Sequence, residues 1–376
     1  METKVLTLED YKKTGTISGE DLEKIREAAA VLAAGGLVAF PTETVYGLGG
    51  DARRADVSAR IYSAKGRPSD NPLIVHISGM EELAPLAEEI PDSCRKLAGA
   101  YWPGPMTLVL KKSSLIPAET TGGLDTVAVR MPSDPVASKL IELSGVPVAA
   151  PSANRSGRPS TTTAEHCAED LNGRIDLILD GGPCEIGVES TIVDLTDTEP
   201  VLLRPGAVTV EMLAETLGKE PVKDKALLRA LAEGEKPKAP GMKYRHYAPK
   251  APLVVVRAAE EDSARKFRVY ARIAALAAEY LAQGLKTEII CTRECADWLE
   301  KNRGTDHCAG IAAVPLRVLG KTEESTKIAR NLFAVLRDTD GDRTDRLIAE
   351  GFGEKDLFLA IMNRLKKAAG WQIEEV

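Results

Sequence analysis

Four short stretches of the 376-residue sequence concentrate side chains able to bind or position an anionic substrate. In FPTETVYGLGGDA (40–52), Thr42 and Thr44 offer hydroxyls, and Gly47, Gly49 and Gly50 would let a ligand approach the backbone closely, unless the hydroxyls only satisfy a local turn. In SAKGRPSDNPLIVHI (63–77), Lys65 and Arg67 follow a helix and precede Asn71 and a strand bearing His76. Two cations so spaced on a proline-anchored loop suit a polyphosphate, although the same charges also complement a helix macrodipole without any ligand. His76 by itself reads equally as a hydrogen-bonded strand histidine. In TVAVRMP (126–132), strand alternation turns Thr126, Ala128 and Arg130 to one face and Val127 and Val129 to the other. An arginine there needs a carboxylate or phosphate partner unless its strand is a solvated edge. VAAPSANRSGRPSTTT (148–163) follows a strand with hydroxyls and amides that can hold phosphate or ribose, or simply lead into a helix cap. Ser190 and Arg204 stand at strand boundaries in GVESTIVDL and LLRPGAV.

No Ser-His-Asp arrangement, HExxH or Walker sequence accompanies these stretches. Four histidines (His76, His166, His246 and His307) leave little room for imidazole-based chemistry, and the six cysteines show no CxxC pair. Cys291, Cys295, His307 and Cys308 could be imagined as metal ligands, but Cys291 closes the apolar run TEIIC and reads as a core residue. The inventory favours phosphate binding and substrate positioning over covalent catalysis.

The elements that must hold these residues are legible in outline. Short apolar runs alternate with amphipathic segments from residue 20 to about 210, which predicts an α/β domain. The strands are LVAF (37–40), LIVHI (73–77), MTLVL (106–110), TVAVRM (126–131), VPVAA (146–150), DLILD (176–180), STIVDL (190–195) and VLLRP (201–205). Helices are expected at 21–34, 55–64, 81–100, 135–143 and 163–171. Two late strands without a helix between them predict a mixed sheet. Residues 217–252 are rich in proline and charge, and their centre PGMKYRHYAP carries enough Tyr, His and Arg to act as a lid as well as a linker. Beyond it, four βα units predict a small Rossmann-like domain. No GxGxxG follows its first strand, so a dinucleotide is not indicated. The expected organisation is therefore 1–216, 217–252 and 253–376.

Charge narrows the partners. Residues 1–210 hold 20 Lys+Arg against 30 Asp+Glu, and 211–376 hold 29 against 26, within a net charge of −7. The acidic first half disfavours a general duplex-binding surface, and 16 aromatics in the chain do not indicate a stacking platform for single strands. No run approaches the ~20 apolar residues of a membrane span. The start METKVLTLEDYKK lacks a signal-peptide core, so the chain is expected to be cytoplasmic.

Taken in order, PTETVYGLGGDA, KGRPSDNPLIVHI, WPGPMTLVL, VAVRMP, APSANRSGRPS, GVESTIVDL and RPGAV resemble the YrdC-like family. With PGMKYRHYAP and the trailing α/β domain, the chain is similar to the long, two-domain threonylcarbamoyl-AMP synthases of that family. The resemblance implies a mixed, twisted α/β sheet around a concave cavity, and formation of threonylcarbamoyl-AMP and pyrophosphate from L-threonine, bicarbonate and ATP. This would be the first step of N6-threonylcarbamoyladenosine synthesis beside the tRNA anticodon, with a separate transferase system taking the product and tRNA contact at most weak. It further implies threonine contacts from Thr44, His76, Arg130, the backbone at Ala150, and Ser190. ATP contacts would come from Arg67, Asn71, Thr126, Ser152, Ser160, Arg204 and a linker tyrosine, Tyr247 in preference to Tyr244. Lys65 and Arg67 are the candidate catalytic cations. Mg²⁺ is expected to arrive on the triphosphate, with no protein ligand assigned. Two other readings are a carbamoyl-adenylate-handling enzyme, which would carry further zinc-finger segments, and a non-catalytic RNA-binding maturation factor.

Overall fold

The computed structural model describes residues 2–227, 237–240, 246–259, 265–302, 304–305, 311, 313–339 and 344–376. The chain divides into two units, residues 1–156 with 160–244, and 157–159 with 245–376.

Eleven strands make the sheet of the first unit: β1 (Lys4–Thr7), β2 (Val38–Phe40), β3 (Gly47–Asp51), β4 (Ile74–His76), β5 (Met106–Lys111), β6 (Thr126–Arg130), β7 (Val148–Ala149), β8 (Leu177–Asp180), β9 (Thr191–Asp194), β10 (Val201–Arg204) and β11 (Val222–Lys223). Their order is β1-β8-β2-β3-β7-β4-β6-β5-β9-β10-β11. Parallel and antiparallel pairs are interspersed, as expected of a mixed sheet. The helices are α1 (Glu9–Thr14), α2 (Gly19–Ala33), α3 (Ala55–Lys65), α4 (Asp92–Tyr101), α5 (Pro135–Ser144), α6 (Ala164–Leu171) and α7 (Val210–Leu217). Helix α2 shows how sequence selects them. Ser18 caps it by accepting from Asp21 N at 3.2 Å, and Ile25, Ala28, Ala29 and Leu32 recur at helical spacing as a buried stripe. That stripe packs in one core with Val136, Ala137, Leu140 and Ile141 of α5.

Three expectations are corrected here. Residues 81–100 are not one helix: a 3-10 turn (Met80–Glu82) precedes α4, because Pro85 and Pro91 lack the N–H groups that a continuous helix needs. The glycine-rich GLGGD is strand β3, antiparallel to β2. Elements β1, α1 and β11 arise in stretches too short to show a period; α7 does carry helical spacing, in Val210, Leu213 and Leu217, and adds to the expected helices. The segment 217–252 is also divided: β11 pairs with β10, and Ala226 and Ala239 are buried with Ile74, Val109, Ala128, Ile192 and Leu203.

The second unit has five parallel strands, β12 (Leu253–Arg257), β13 (Thr287–Cys291), β14 (Leu316–Val318), β15 (Arg346–Glu350) and β16 (Ile373–Glu375), ordered β14-β13-β15-β12-β16. Its helices are α8 (Arg265–Ala282), α9 (Arg293–Lys301), α10 (Ser325–Asp338) and α11 (Asp356–Ala368). The Rossmann-like expectation holds, with β16 as a strand that the sequence pattern did not reveal. Cys291 and Cys295 are buried thiols in its core. His307 and Cys308, the other imagined ligands, lie outside the described residues.

Candidate active site

Strand register, more than any loop, sets the centre of the site. The pairings of β4 with β6, β6 with β5, β5 with β9 and β9 with β10 align His76, Arg130, Thr107, Ile192 and Arg204 in one cross-strand row. Directly paired residues project on the same face of a sheet, so this row gathers side chains that lie far apart in sequence. The adjacent row on the same face, Ile74, Ala128 and Val109, is apolar and packs in one cluster with Ile192 and Leu203.

Arg130 is buried and held from three sides. Its Nη1 donates to Thr44 Oγ1 at 2.9 Å, its Nε donates to Gly104 O at 3.3 Å, and Nη2 lies 2.7 Å from Glu43 Oε1. The contact with Glu43 is an ion pair without hydrogen-bond alignment: Nη2 and both Glu43 oxygens are buried with no hydrogen-bond partner. A guanidinium edge so poised suits a second carboxylate, whose planar geometry it matches. Beside it, burial first and the Arg130 charge second push His76 down to about 3. The imidazole is therefore neutral at ordinary pH. Its Nδ1 donates to Ile74 O at 3.2 Å, which leaves Nε2 as the acceptor. Further along the row, Arg204 donates from Nε to Ser190 O at 3.0 Å and from Nη2 to Ser190 Oγ at 3.1 Å, and Ser190 Oγ meets Thr107 Oγ1 at 2.7 Å.

Three loops are stitched around the row by main-chain hydrogen bonds. Ala153 N donates to Tyr46 O, Tyr46 N to Thr161 O, Cys184 N to Thr162 O, and Gly187 N to Thr44 O, all at 2.8–3.0 Å. Lys65, the last residue of α3, reaches into this bundle and donates to the carbonyls of Ser152 and Asn154. Desolvation, then the nearby Arg67 charge, drives its ammonium well below the ordinary lysine range. Ser152 Oγ donates to Asn154 Oδ1 at 2.5 Å, and Ser160 Oγ donates to Glu189 Oε1 at 2.6 Å. Arg67 folds back onto Asn71 O and Pro72 O at 3.3 and 3.1 Å, while Asn71 Oδ1 is buried without a hydrogen-bond partner.

Of the residues expected from sequence, Thr44, His76, Arg130, Ser190 and Arg204 meet in the row and its loops, and Ala150 adjoins them through Ala150 N donating to Ile74 O at 2.8 Å. Lys65, Ser152 and Ser160 form a second group through the stitched loops. Arg67 and Asn71 form a third on the loop before β4. Thr126 shares the face of Arg130 but opens the strand, paired with Lys111. Tyr247 belongs to the second unit, where its ring lies 5.0 Å from that of Phe333; Tyr244 lies outside the described residues. The glycine expectation is corrected. A Cβ on Gly49 would meet Phe40 at 2.8 Å and Val148 at 2.9 Å, and one on Gly50 would meet Val57 at 2.4 Å, so these glycines make room for the protein's own core.

Glu43, Thr107, Asn154 and Glu189 escaped the sequence reading, although each touches a residue that did not. Glu43 was readable in principle: an acid between two threonines in a loop after a buried strand needs a cationic partner. Among the described residues no group of three or more His, Cys, Asp or Glu could hold a metal. None of the helices described is long and apolar enough to cross a membrane.

Comparison with known proteins bears on both units. A family model described as "Telomere recombination" matches residues 30–206, and one described as "Threonylcarbamoyl-AMP synthase, C-terminal domain" matches 208–370. The threonylcarbamoyl-AMP synthase of Pyrococcus abyssi is 48% identical over 353 residues, covering 94% of this chain and 96% of that one. The Bacillus subtilis protein of the same name is 45% identical, covering 93% and 94%. The crystal structure of P. abyssi Sua5 complexed with L-threonine matches with a TM-score of 0.86 at 45% identity, over 100% of both chains.

Proposed function

The chain belongs to the threonylcarbamoyl-AMP synthase family, and from that premise we infer that it joins L-threonine, bicarbonate and ATP into threonylcarbamoyl-AMP with release of pyrophosphate. The observation that carries this reading is the buried Arg130, ion-paired to Glu43 and bonded to Thr44 in one row with His76 and Arg204. That arrangement offers a carboxylate clamp and, three strands away, a second guanidinium for phosphate. The relative crystallised with L-threonine supports an amino-acid substrate. Coverage above nine-tenths of both chains disfavours the carbamoyl-adenylate alternative, which needs further segments.

The chemistry asks little covalent help of the protein. The amine of threonine attacks dissolved CO2 and gives up a proton, or attacks bicarbonate with loss of water, to form a carbamate. A carbamate oxygen then attacks the α-phosphorus of ATP in line, and the bond to the pyrophosphate oxygen breaks as that oxygen takes the electron pair. The protein must hold two anions close together and out of water. Arg130 would take the threonine carboxylate, with Thr44, Ser190 and the Ala150 backbone around it. Neutral His76 would contribute hydrogen bonding and no charge. ATP would extend along the same face toward Thr126, four residues up the strand and so about 13 Å from Arg130. Arg67, Asn71, Ser152, Ser160 and Arg204 would line its path. Lys65, spent on two carbonyls, would act by fixing the loop that carries Ser152. Mg²⁺ would enter as part of the ATP substrate and keep several of its waters. The product would pass to a separate transferase acting on tRNA.

The lid reading of 217–252 is supported by Ala239, buried with Ala128, Ile74 and Ile192 on the face of the row, and by the ion pair of Lys238 with Asp194 at 3.5 Å. Ala239→Ser should slow synthesis, with denaturant titration reporting its separate cost in stability; an unchanged rate in the folded variant would remove the lid. The assignment itself is tested by incubating the full chain with ATP, labelled bicarbonate and single amino acids. Pyrophosphate should appear only when threonine and bicarbonate are both present, and threonine-independent release would contradict the assignment.

A further inference from the structure

The second unit contains a crevice that the synthase reaction does not use. From β12 the chain runs through α8 to β13, on one side of the β15–β12 pair. From β15 it runs through α11 to β16, on the other side. Neighbouring parallel strands whose connections leave in opposite directions open a gap at their carboxyl ends, where open α/β sheets bind ligands. In this unit the gap is a cavity of about 290 Å³.

Its lining combines a buried carboxyl, an aromatic wall and a charged rim in which Glu354 and Asp356 flank Lys355. Glu350, the last residue of β15, is only 6% exposed, and its Oε2 accepts from Thr292 N at 2.7 Å. Burial pushes this carboxyl up to about 7, so near neutrality it can donate as well as accept a hydrogen bond. Phe352 and Phe358 supply an aromatic wall, their ring centroids 5.0 Å apart and their planes 32° apart. Lys266 in the first turn of α8 and Lys355 ahead of α11 are exposed at the rim. Arg257 is occupied by Glu354 and Glu375 at 2.6 and 2.5 Å, which braces the wall.

Each part excludes some ligands. The volume falls at the lower end of small-molecule sites, roughly 300–1,000 Å³, and is too small for a dinucleotide. A bare phosphate or sulfate would leave the aromatic wall unused and would face Glu350. A wholly apolar ligand would leave the lysines and the carboxyl without purpose. We propose that this crevice binds a free mononucleotide, its base against Phe352 and Phe358, its sugar hydroxyls toward Glu350 and its phosphate between Lys266 and Lys355. This site is separate from the ATP path on the first unit and does not depend on the synthase reading.

The test is equilibrium dialysis of the full chain against labelled AMP, GMP, CMP and UMP, comparing wild type with the K266E/K355E double variant. Wild type should bind one equivalent more of at least one of the four, and Phe358→Ala should weaken that equivalent about tenfold, as losing one base–aromatic stack does. Equal stoichiometry in wild type and double variant for all four nucleotides, up to about 1 mM, overturns the proposal. So does displacement of the extra equivalent by inorganic phosphate as readily as by the unlabelled nucleotide. An azido-purine nucleotide used on wild type keeps the test independent of variant folding. Label should map to the peptide containing Phe352 and Phe358, and label confined to the first unit counts against the site.

Discussion

The two units solve the same problem, how to place charge in a sheet, in opposite ways. In the second unit every strand pair is parallel, and strands such as LVVVR and RLIAE are apolar along their length with charges at the ends. Glu288 inside β13 is spent on Arg317 of β14 at 2.7 Å, and Glu350 with the loops beyond it offers polar groups at the carboxyl edge. The first unit buries His76, Arg130 and Arg204, each the last residue of its strand, and lines them up across the sheet with Thr107 of β5. It can do so because mixed register sets them side by side, where Ser190 accepts from Arg204 and meets Thr107, Thr44 accepts from Arg130, and Glu43 supplies the opposite charge. A face site of this kind is rigid and costly to disturb; an edge site is carried by loops and tolerates change.

The largest effect is expected at Arg130. Arg130→Ala should lower kcat/KM for threonine by about 10²–10³-fold, equivalent to about 3–4 kcal/mol, while ATP affinity is retained. It should also destabilise the first unit by about 3–5 kcal/mol, because Glu43 is left buried and uncompensated. Replacing both by apolar residues, Arg130→Met with Glu43→Met, should restore most of the stability and none of the activity. Denaturant titration and threonine-dependent pyrophosphate release separate the two effects. Equal loss of threonine and ATP binding in Arg130→Ala would dissolve the carboxylate role.

Lys65→Met ranks second. The carbonyls of Ser152 and Asn154 would lose their donor, at about 1–3 kcal/mol each, offset in part because a buried cation is also removed. If the ammonium only positions the loop, KM for ATP should rise about tenfold or more with a smaller change in kcat. A collapse of kcat at saturating ATP would instead make Lys65 a catalytic cation acting on the phosphates.

His76 gives a pH signature. Its folded pKa of about 3 lies below the unfolded value of 6.5, so between these limits the unfolded chain binds a proton that the native chain refuses. Stability from this group is therefore complete above about pH 6.5 and falls as pH is lowered, by up to about 1.4 kcal/mol per unit. Asp134, pushed up to about 6, and Glu350, up to about 7, act in the opposite direction. Both are present in His76→Gln as well, so the difference between wild type and that variant isolates the histidine. Parallel stability curves from pH 7 to 4 would show that the imidazole is not buried neutral.

How much of this was readable beforehand follows the same division. The alternation in TVAVRM already turned Arg130 and Ala128 to one face, and the fold of the second unit was evident from repeated apolar runs and helices. The row was not evident, because register is a long-range property: nothing local to VRMP says that Arg130 stands beside His76 and opposite Thr107. The glycines of GLGGD misled for a related reason. Close approach was correctly inferred, but the approaching groups are Phe40, Val57 and Val148 rather than a ligand. Short edge elements such as β1 and β11 gave too few residues for a period to show. Glu43 was overlooked because its partner lies 87 positions away along the chain.

The smallest effect tests the separateness of the edge site. Thr292 caps α9, its Oγ1 accepting from Cys295 N at 3.3 Å, and its side chain has no part in the synthase chemistry proposed here. Thr292→Ala should cost about 1 kcal/mol, the usual value of such a cap. The loss should appear in unfolding of the second unit only, since Thr292 N would still donate to Glu350 and the strands would keep their register. Synthesis at saturating substrates should then match wild type under conditions where both proteins are folded. A fall in rate larger than the fraction unfolded would mean that the carboxyl edge of the second sheet communicates with the row on the first. The contrast between a rigid face and a tolerant edge would then have to give way to a single coupled device.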